Sequence, residues 1–76
     1  MTKPTGRPTP GQNVKLRALP AGFLDGLPQE DQKAILNVVG KRILLTRYEE
    51  DGRAELAFRD AEGDLHTIYV EPNYIE

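Results

Sequence analysis

At 76 residues and a net charge of −2, the chain makes one small domain, and a domain of this size buries only about 60% of its unfolded surface, so each core residue counts. Cysteine is absent, which excludes disulfides and thiolate–metal centres as supplements to that core. Lys3 and Arg7 precede every acidic residue, and without these two cations the balance moves from −2 to −4, which opposes nucleic-acid binding through a basic face.

The opening stretch "MTKPTGRPTPGQN" has no apolar residue after Met1 and cannot repay its ordering entropy, so residues 1–13 are expected to be a flexible Pro/Thr/Gly-rich arm. Its prolines, Pro4, Pro8 and Pro10, are never three apart, so the arm carries no PxxP ligand. Nor does it hold the apolar segment of a signal peptide, and no apolar run in the chain is long enough to span a bilayer. A cytoplasmic protein without membrane contact is expected.

"VKLRAL" alternates, with Val14, Leu16 and Ala18 on one face and Lys15 and Arg17 on the other, and reads as a half-buried strand stopped by Pro20. "AGFLDGL" reads as a compact loop pinned by Phe23 and Leu24. "PQEDQKAILNVVG" is the one helix: Pro28 suits its first position, Glu30 and Asp31 its positive end, and Gly40 its C-terminal cap. Ile35, Val38 and Val39 make an apolar stripe flanked by Ala34 and Leu36.

Three strands follow. "RILLTRY" puts Ile43 and Leu45 on one face and Leu44 on the other, beneath the helix; "RAELAF" buries Ala54, Leu56 and Phe58; "LHTIYV" buries Ile68 and Val70 and turns Tyr69 outward. Asp51–Gly52 supplies left-handed backbone to the first hairpin, and Gly63 takes positive φ in the second. A short final strand closing on the first would remove both raw edges. The expected fold is therefore mainly β, a five-stranded barrel over residues 14–76 with one inserted α-helix; the alternative is an α+β layer with the helix packed on an open antiparallel sheet.

The stretch from Gly40 to Glu76, and most specifically "IYVEPNYIE" at its end, resembles the later half of an SH3 domain. The resemblance implies an SH3-like barrel and carries over three binding positions: Tyr69 for the aromatic before the turn, Asn73 for its asparagine and Tyr74 for the tyrosine after it. The family's key tryptophan falls near Arg53 or Ala54, and this chain has no tryptophan. The turn proline aligns with Glu71, one place before Pro72; the Ala-Leu-Tyr-Asp-Tyr motif shrinks to "RALP"; and the helix replaces the acidic loop. Proline helices bind on a set of aromatic ridges, so PxxP peptides are not expected as ligands. Nearly everything after residue 14 also resembles short uncharacterised bacterial proteins that share a "GRAEL-x-F" strand and an "HTI-aromatic-V-x-P" ending, which implies a bacterial source and brings no activity.

Chemistry-bearing constellations are sparse. His66 is the single histidine, and with no serine or cysteine anywhere it lacks a nucleophile to activate and is read as a packed or capping side chain. "DAEGD" spaces Asp60, Glu62 and Asp64 like the start of a calcium loop, yet Gly63 stands fourth where that loop needs a sixth-position glycine, and a hairpin turn explains all five residues. Carboxylates in "QEDQK" and "EED" read as solvated surface. The function expected is a non-catalytic protein-interaction module or accessory subunit, with a protein partner and neither metal nor cofactor. The alternative is a nucleic-acid-associated barrel using Lys3, Arg7, Lys15 and Arg17.

Overall fold

A computed structural model describes residues 8–76, which form a four-stranded antiparallel sheet with a helix against one face. The strands β1 (Asn13–Lys15), β2 (Arg42–Tyr48), β3 (Ala54–Arg59) and β4 (Leu65–Val70) neighbour one another in chain order, and α1 (Gln29–Val38) falls between β1 and β2 in sequence. The period of two works as expected along β2, β3 and β4: Ile43, Leu45, Ala54, Leu56, Phe58, Ile68 and Val70 are all buried. Leu45 stands opposite Leu56, and Leu56 opposite Ile68, so one apolar row crosses the middle of the sheet.

Pro28 sits at the N-cap of α1, one place before the first helical position expected for it. No side chain caps the helix there, but Gln32 Nε2 returns to donate to the Leu27 carbonyl at 2.8 Å. Ile35 and Val38 enter the same cluster as Ile43 and Leu45, while Val39 is half-buried at the C-cap. Gly40 has φ +86°, and its N–H donates to the Leu16 carbonyl, which fastens the end of α1 beside β1. The helix thus shares the face of Ile43, and Leu44 is not beneath it: the pleat turns Leu44 to the opposite surface, where it is 40% exposed.

β1 is shorter than its alternation suggests. After Lys15, the Leu16 N–H and C=O are taken by Lys41 and Gly40, and Arg17 N–H turns to the Tyr74 carbonyl. The chain then leaves the sheet, so Ala18 is exposed rather than buried. Where a fifth strand was expected, Pro72–Tyr74 form a 3-10 turn and Ile75 makes a single antiparallel bridge with Leu16. Pro72 has no N–H to give a ladder. The sheet is four-stranded and not a closed barrel, which is the alternative arrangement of a helix on an antiparallel sheet.

The inner part of the expected arm meets the sheet. Gly11 N–H donates to the Leu45 carbonyl at 2.8 Å, Leu45 N–H to Gln12 at 2.9 Å, and the Tyr48 hydroxyl to Pro8 at 2.7 Å. Residues 8–13 are therefore tied to the sheet, and the rest of the expected arm, residues 1–7, lies outside the described residues.

Both hairpins use the same three-residue loop. Glu49 N–H bonds Arg53 O and Gly52 N–H bonds Glu49 O; Asp60 N–H bonds Asp64 O and Gly63 N–H bonds Asp60 O. Each is a turn followed by one left-handed glycine, Gly52 at φ +94° or Gly63 at φ +87°, and Asp51 itself does not take positive φ. A Cβ at Gly63 would meet nothing within 4 Å, so only the backbone resists substitution. Gly63→Val should cost about 1–2 kcal/mol or more, and Gly63→Asn distinctly less, in urea unfolding. Equal losses from the two replacements would contradict this loop.

Candidate functional site

The outer surface of the sheet carries the first expected site residue. Tyr69 is 36% exposed on β4, opposite Glu55 on β3, and the Arg53 guanidinium lies 5.3 Å from its ring centre. Glu55 is opposite Arg47 in turn, and Arg47 Nε donates to its carboxylate at 3.2 Å. A bulge at Thr46 makes this possible by turning its hydroxyl onto Glu55. Thr46 and then Arg47 hold the Glu55 carboxyl below the usual range, and that carboxylate raises the phenol of Tyr69.

Asn73 and Tyr74 belong to a different neighbourhood. Asn73 is exposed and its carbonyl accepts from Arg17 Nη1 at 3.3 Å, while Tyr74 is half-buried against the core and its carbonyl accepts from Arg17 N–H. Tyr69 is thus engaged by β3, and the pair Asn73–Tyr74 by the chain beyond β1. Of the basic strip, Lys15 pairs with Glu76 at 3.8 Å and Arg17 holds the 3-10 turn, while Lys3 and Arg7 lie outside the described residues.

A more enclosed site lies where α1 meets β4. Phe23, Leu27 and Ile35 face Thr67, Ile68 and Tyr69 across a groove of about 280 Å³. The loop "AGFLDGL" positions Phe23 and Leu27 through a series of tight turns, Phe23 N–H to Pro20 O at 3.1 Å and Leu27 N–H to Leu24 O at 3.2 Å. At Asp31 and His66 this groove runs into a second cleft of about 580 Å³, between α1 and the β3–β4 hairpin. Its walls carry the carboxylates of Glu30, Asp31, Asp60, Glu62 and Asp64, against the single ammonium of Lys33. The sequence suggests solvated surface for Glu30 and Asp31 and a hairpin turn for Asp60, Glu62 and Asp64, as two separate features. Their convergence depends on α1 crossing beside the hairpin, which no local pattern signals.

His66 stands at the junction. Its ring stacks on Phe58 with centroids 5.2 Å apart, and Nε2 lies 2.8 Å from Asp60 Oδ2; an ionised carboxylate only accepts, so the imidazole donates. Nδ1 faces Asp31 at 3.8 Å. Asp60 Oδ1 in turn accepts from the N–H groups of Glu62 and Asp64, so "DAEGD" is a turn held by its own aspartate. Among the described residues, no group of three or more His, Cys, Asp or Glu is arranged to hold a metal ion.

Asp60 is held below the usual carboxyl pKa, chiefly by His66 and then by the N–H of Asp64, and its partial burial opposes this. A carboxyl more acidic in the folded chain adds stability above its unfolded pKa of about 4, and this contribution is lost as pH falls through the lower folded value. Melting temperature should therefore fall on acidification below about pH 4, more steeply in the wild type than in Asp60→Asn. Calorimetry at a series of pH values checks this. A gap between the two proteins that is as wide below about pH 2.5 as at pH 7 would mean that the carboxylate's charge stabilises nothing.

Among the described residues no helix is long and apolar enough to cross a membrane. Comparison with family models, curated proteins and solved structures finds no match.

Proposed function

We propose that the protein is a non-catalytic interaction module, acting alone or as an accessory subunit of a larger assembly in the cytoplasm. The observation that carries this reading is the groove along α1 and β4, lined in part by the exposed Tyr69. Ligand sites are concave and mix apolar walls with a few oriented polar groups, and this groove has both. Its one imidazole is committed to Asp60 and stacked on Phe58, with no serine or cysteine in the chain for it to activate, which supports binding over catalysis.

The SH3-like relationship is part of the proposal. Supporting it are the meander of β2 to β4, the 3-10 turn in "EPNYIE" and the return of Ile75 to Leu16. The proline-peptide surface is not part of it: Arg53 or Ala54 stands near where the family has its tryptophan, and the groove lined by Tyr69 includes neither Asn73 nor Tyr74. Titration with PxxP peptides should show no saturable binding below millimolar concentration.

The test of the module reading is affinity capture from the host lysate on immobilised wild type and Tyr69→Ala, with each retained protein then reassembled from purified components. A purified partner that binds wild type and is weakened at least tenfold by Tyr69→Ala, at unchanged melting temperature, supports the reading. Nucleic acid retained in place of protein, with affinity falling steeply as salt rises and dependent on Lys15 and Arg17, would replace it with the nucleic-acid reading.

A further inference from the structure

The outer edge of β4 has no partner among the described residues: β4 pairs with β3 alone. In an antiparallel ladder, alternate residues give both backbone groups to the neighbour. Asp60 and Asp64 close the hairpin with a hydrogen bond in the same register, so Phe58–His66, Leu56–Ile68 and Ala54–Val70 are the bonded pairs. The N–H and C=O of Leu65, Thr67 and Tyr69 therefore point away from β3. Exposed edges are ordinarily guarded by lysine, proline or a bulge. Leu65–Val70 contains neither residue, its register with β3 is unbroken, and its outward side chains are a leucine, a threonine and a tyrosine.

The two clefts lie along this edge, on the side of His66 and Ile68. A strand laid beside β4 would send every second side chain to that side. One would stand beside Ile68, against Phe23 and Leu27. The next but one, about 7 Å along, would stand beside His66 among Asp31, Asp60 and Glu62. The first position suits an aliphatic side chain and the second a lysine or arginine.

We propose that β4 accepts an extended peptide from a partner protein as a further strand, and that the peptide carries an aliphatic residue and, two places away, a basic one. Backbone pairing supplies sequence-independent affinity, and the two clefts supply selectivity. Charge complementarity decides the occupant: the cleft wall holds five carboxylates and one ammonium, so an acidic or neutral strand would leave that charge uncompensated. This inference rests on the interaction-module reading and specifies its ligand.

The probe is the acetylated, amidated nonapeptide Thr-Val-Thr-Ile-Thr-Lys-Thr-Val-Thr, titrated onto the full chain by calorimetry with amide hydrogen exchange at saturation. Exchange at Leu65, Thr67 and Tyr69 should slow at least tenfold. Replacing the peptide lysine by glutamate should weaken binding at least tenfold, and Asp31→Lys should narrow that preference to less than half of its wild-type ratio. N-methylation of the peptide amides that face β4 should abolish binding, a control that leaves the protein's own folding untouched. Indifference to N-methylation or to the lysine, or absence of binding at millimolar peptide, would overturn the proposal. So would protection of the same three amides in a dimer that the probe does not dissociate, since the edge would then belong to a second copy. A captured partner that binds undiminished to Asp31→Lys and in the presence of saturating probe would sink strand addition alone and leave the module reading standing.

Discussion

Leu56→Ala should destabilise the domain by about 2–5 kcal/mol and lower its melting temperature by roughly 10–30 °C. Leu56 is fully buried on β3, with Leu45 opposite it on one side and Ile68 on the other, so truncation opens a cavity that neither neighbour can fill without moving a strand. A chain of this length has a total stability of only about 4–11 kcal/mol, so this one substitution removes a large part of it. Leu44→Ala is the matched control: Leu44 is the same residue type on the adjacent β2, but it is 40% exposed on the opposite face. Its loss should stay within about 0.5 kcal/mol. Similar losses from the two substitutions would mean that the helix and core are on the wrong face of the sheet.

That contrast marks how far local pattern reaches. Along β3 and β4, the spacing of Ala54, Leu56 and Phe58 and of Ile68 and Val70 told which face is buried, because a period of two has one meaning on a pleated strand. For Leu44 it told only that the residue opposes Ile43. Which side the helix covers is a tertiary choice, settled by Ile35 and Val38 packing with Ile43. The loop glycines were legible because positive φ narrows the residue choice so sharply; the loop length was not, since Asp51–Gly52 fits a two-residue turn as well as the three-residue one that forms.

The site was less legible than the fold. Tyr69 could be placed outward by parity alone, whereas Asn73 and Tyr74 were grouped with it through resemblance; those two share Arg17 as partner, and Tyr69 has Arg53. The groove escaped notice because its walls come from a loop, a helix and a strand separated by up to some forty residues, each unremarkable alone. The faintest sequence signal was in β4 itself: an exposed strand with Leu65, Thr67 and Tyr69 facing out and no lysine or proline to protect it. Contacts of residues 8–13 with the sheet were equally invisible in the sequence. Gly11 and Gln12 are held by backbone bonds to Leu45, and backbone bonds leave no mark on composition.

Removing Ile75 and Glu76 should leave the chain largely unfolded at 25 °C, and Ile75→Ala alone should cost about 2–5 kcal/mol. Ile75 is 5% exposed and bridges Leu16, whose own side chain is fully buried. The deletion also strips the outer side of β1, where Lys15 N–H donates to Glu76 O at 2.8 Å and Glu76 N–H to Lys15 O at 3.0 Å. β1 has only three residues, so it depends on being held from both sides. The side-chain ion pair Lys15–Glu76 is a minor part of this, being 3.8 Å long and half in solvent, so Glu76→Ala should stay within about 0.5 kcal/mol of wild type. The ordering expected in urea unfolding is therefore Glu76→Ala above Ile75→Ala, and Ile75→Ala above the deletion. If the deletion matched wild type, the bridge would be an incidental contact and the four strands would stand without it. If it unfolds the chain, the pairing of Ile75 and Glu76 with Lys15 and Leu16 does the work of a fifth strand, and these two residues are required for the fold whatever binds at Tyr69.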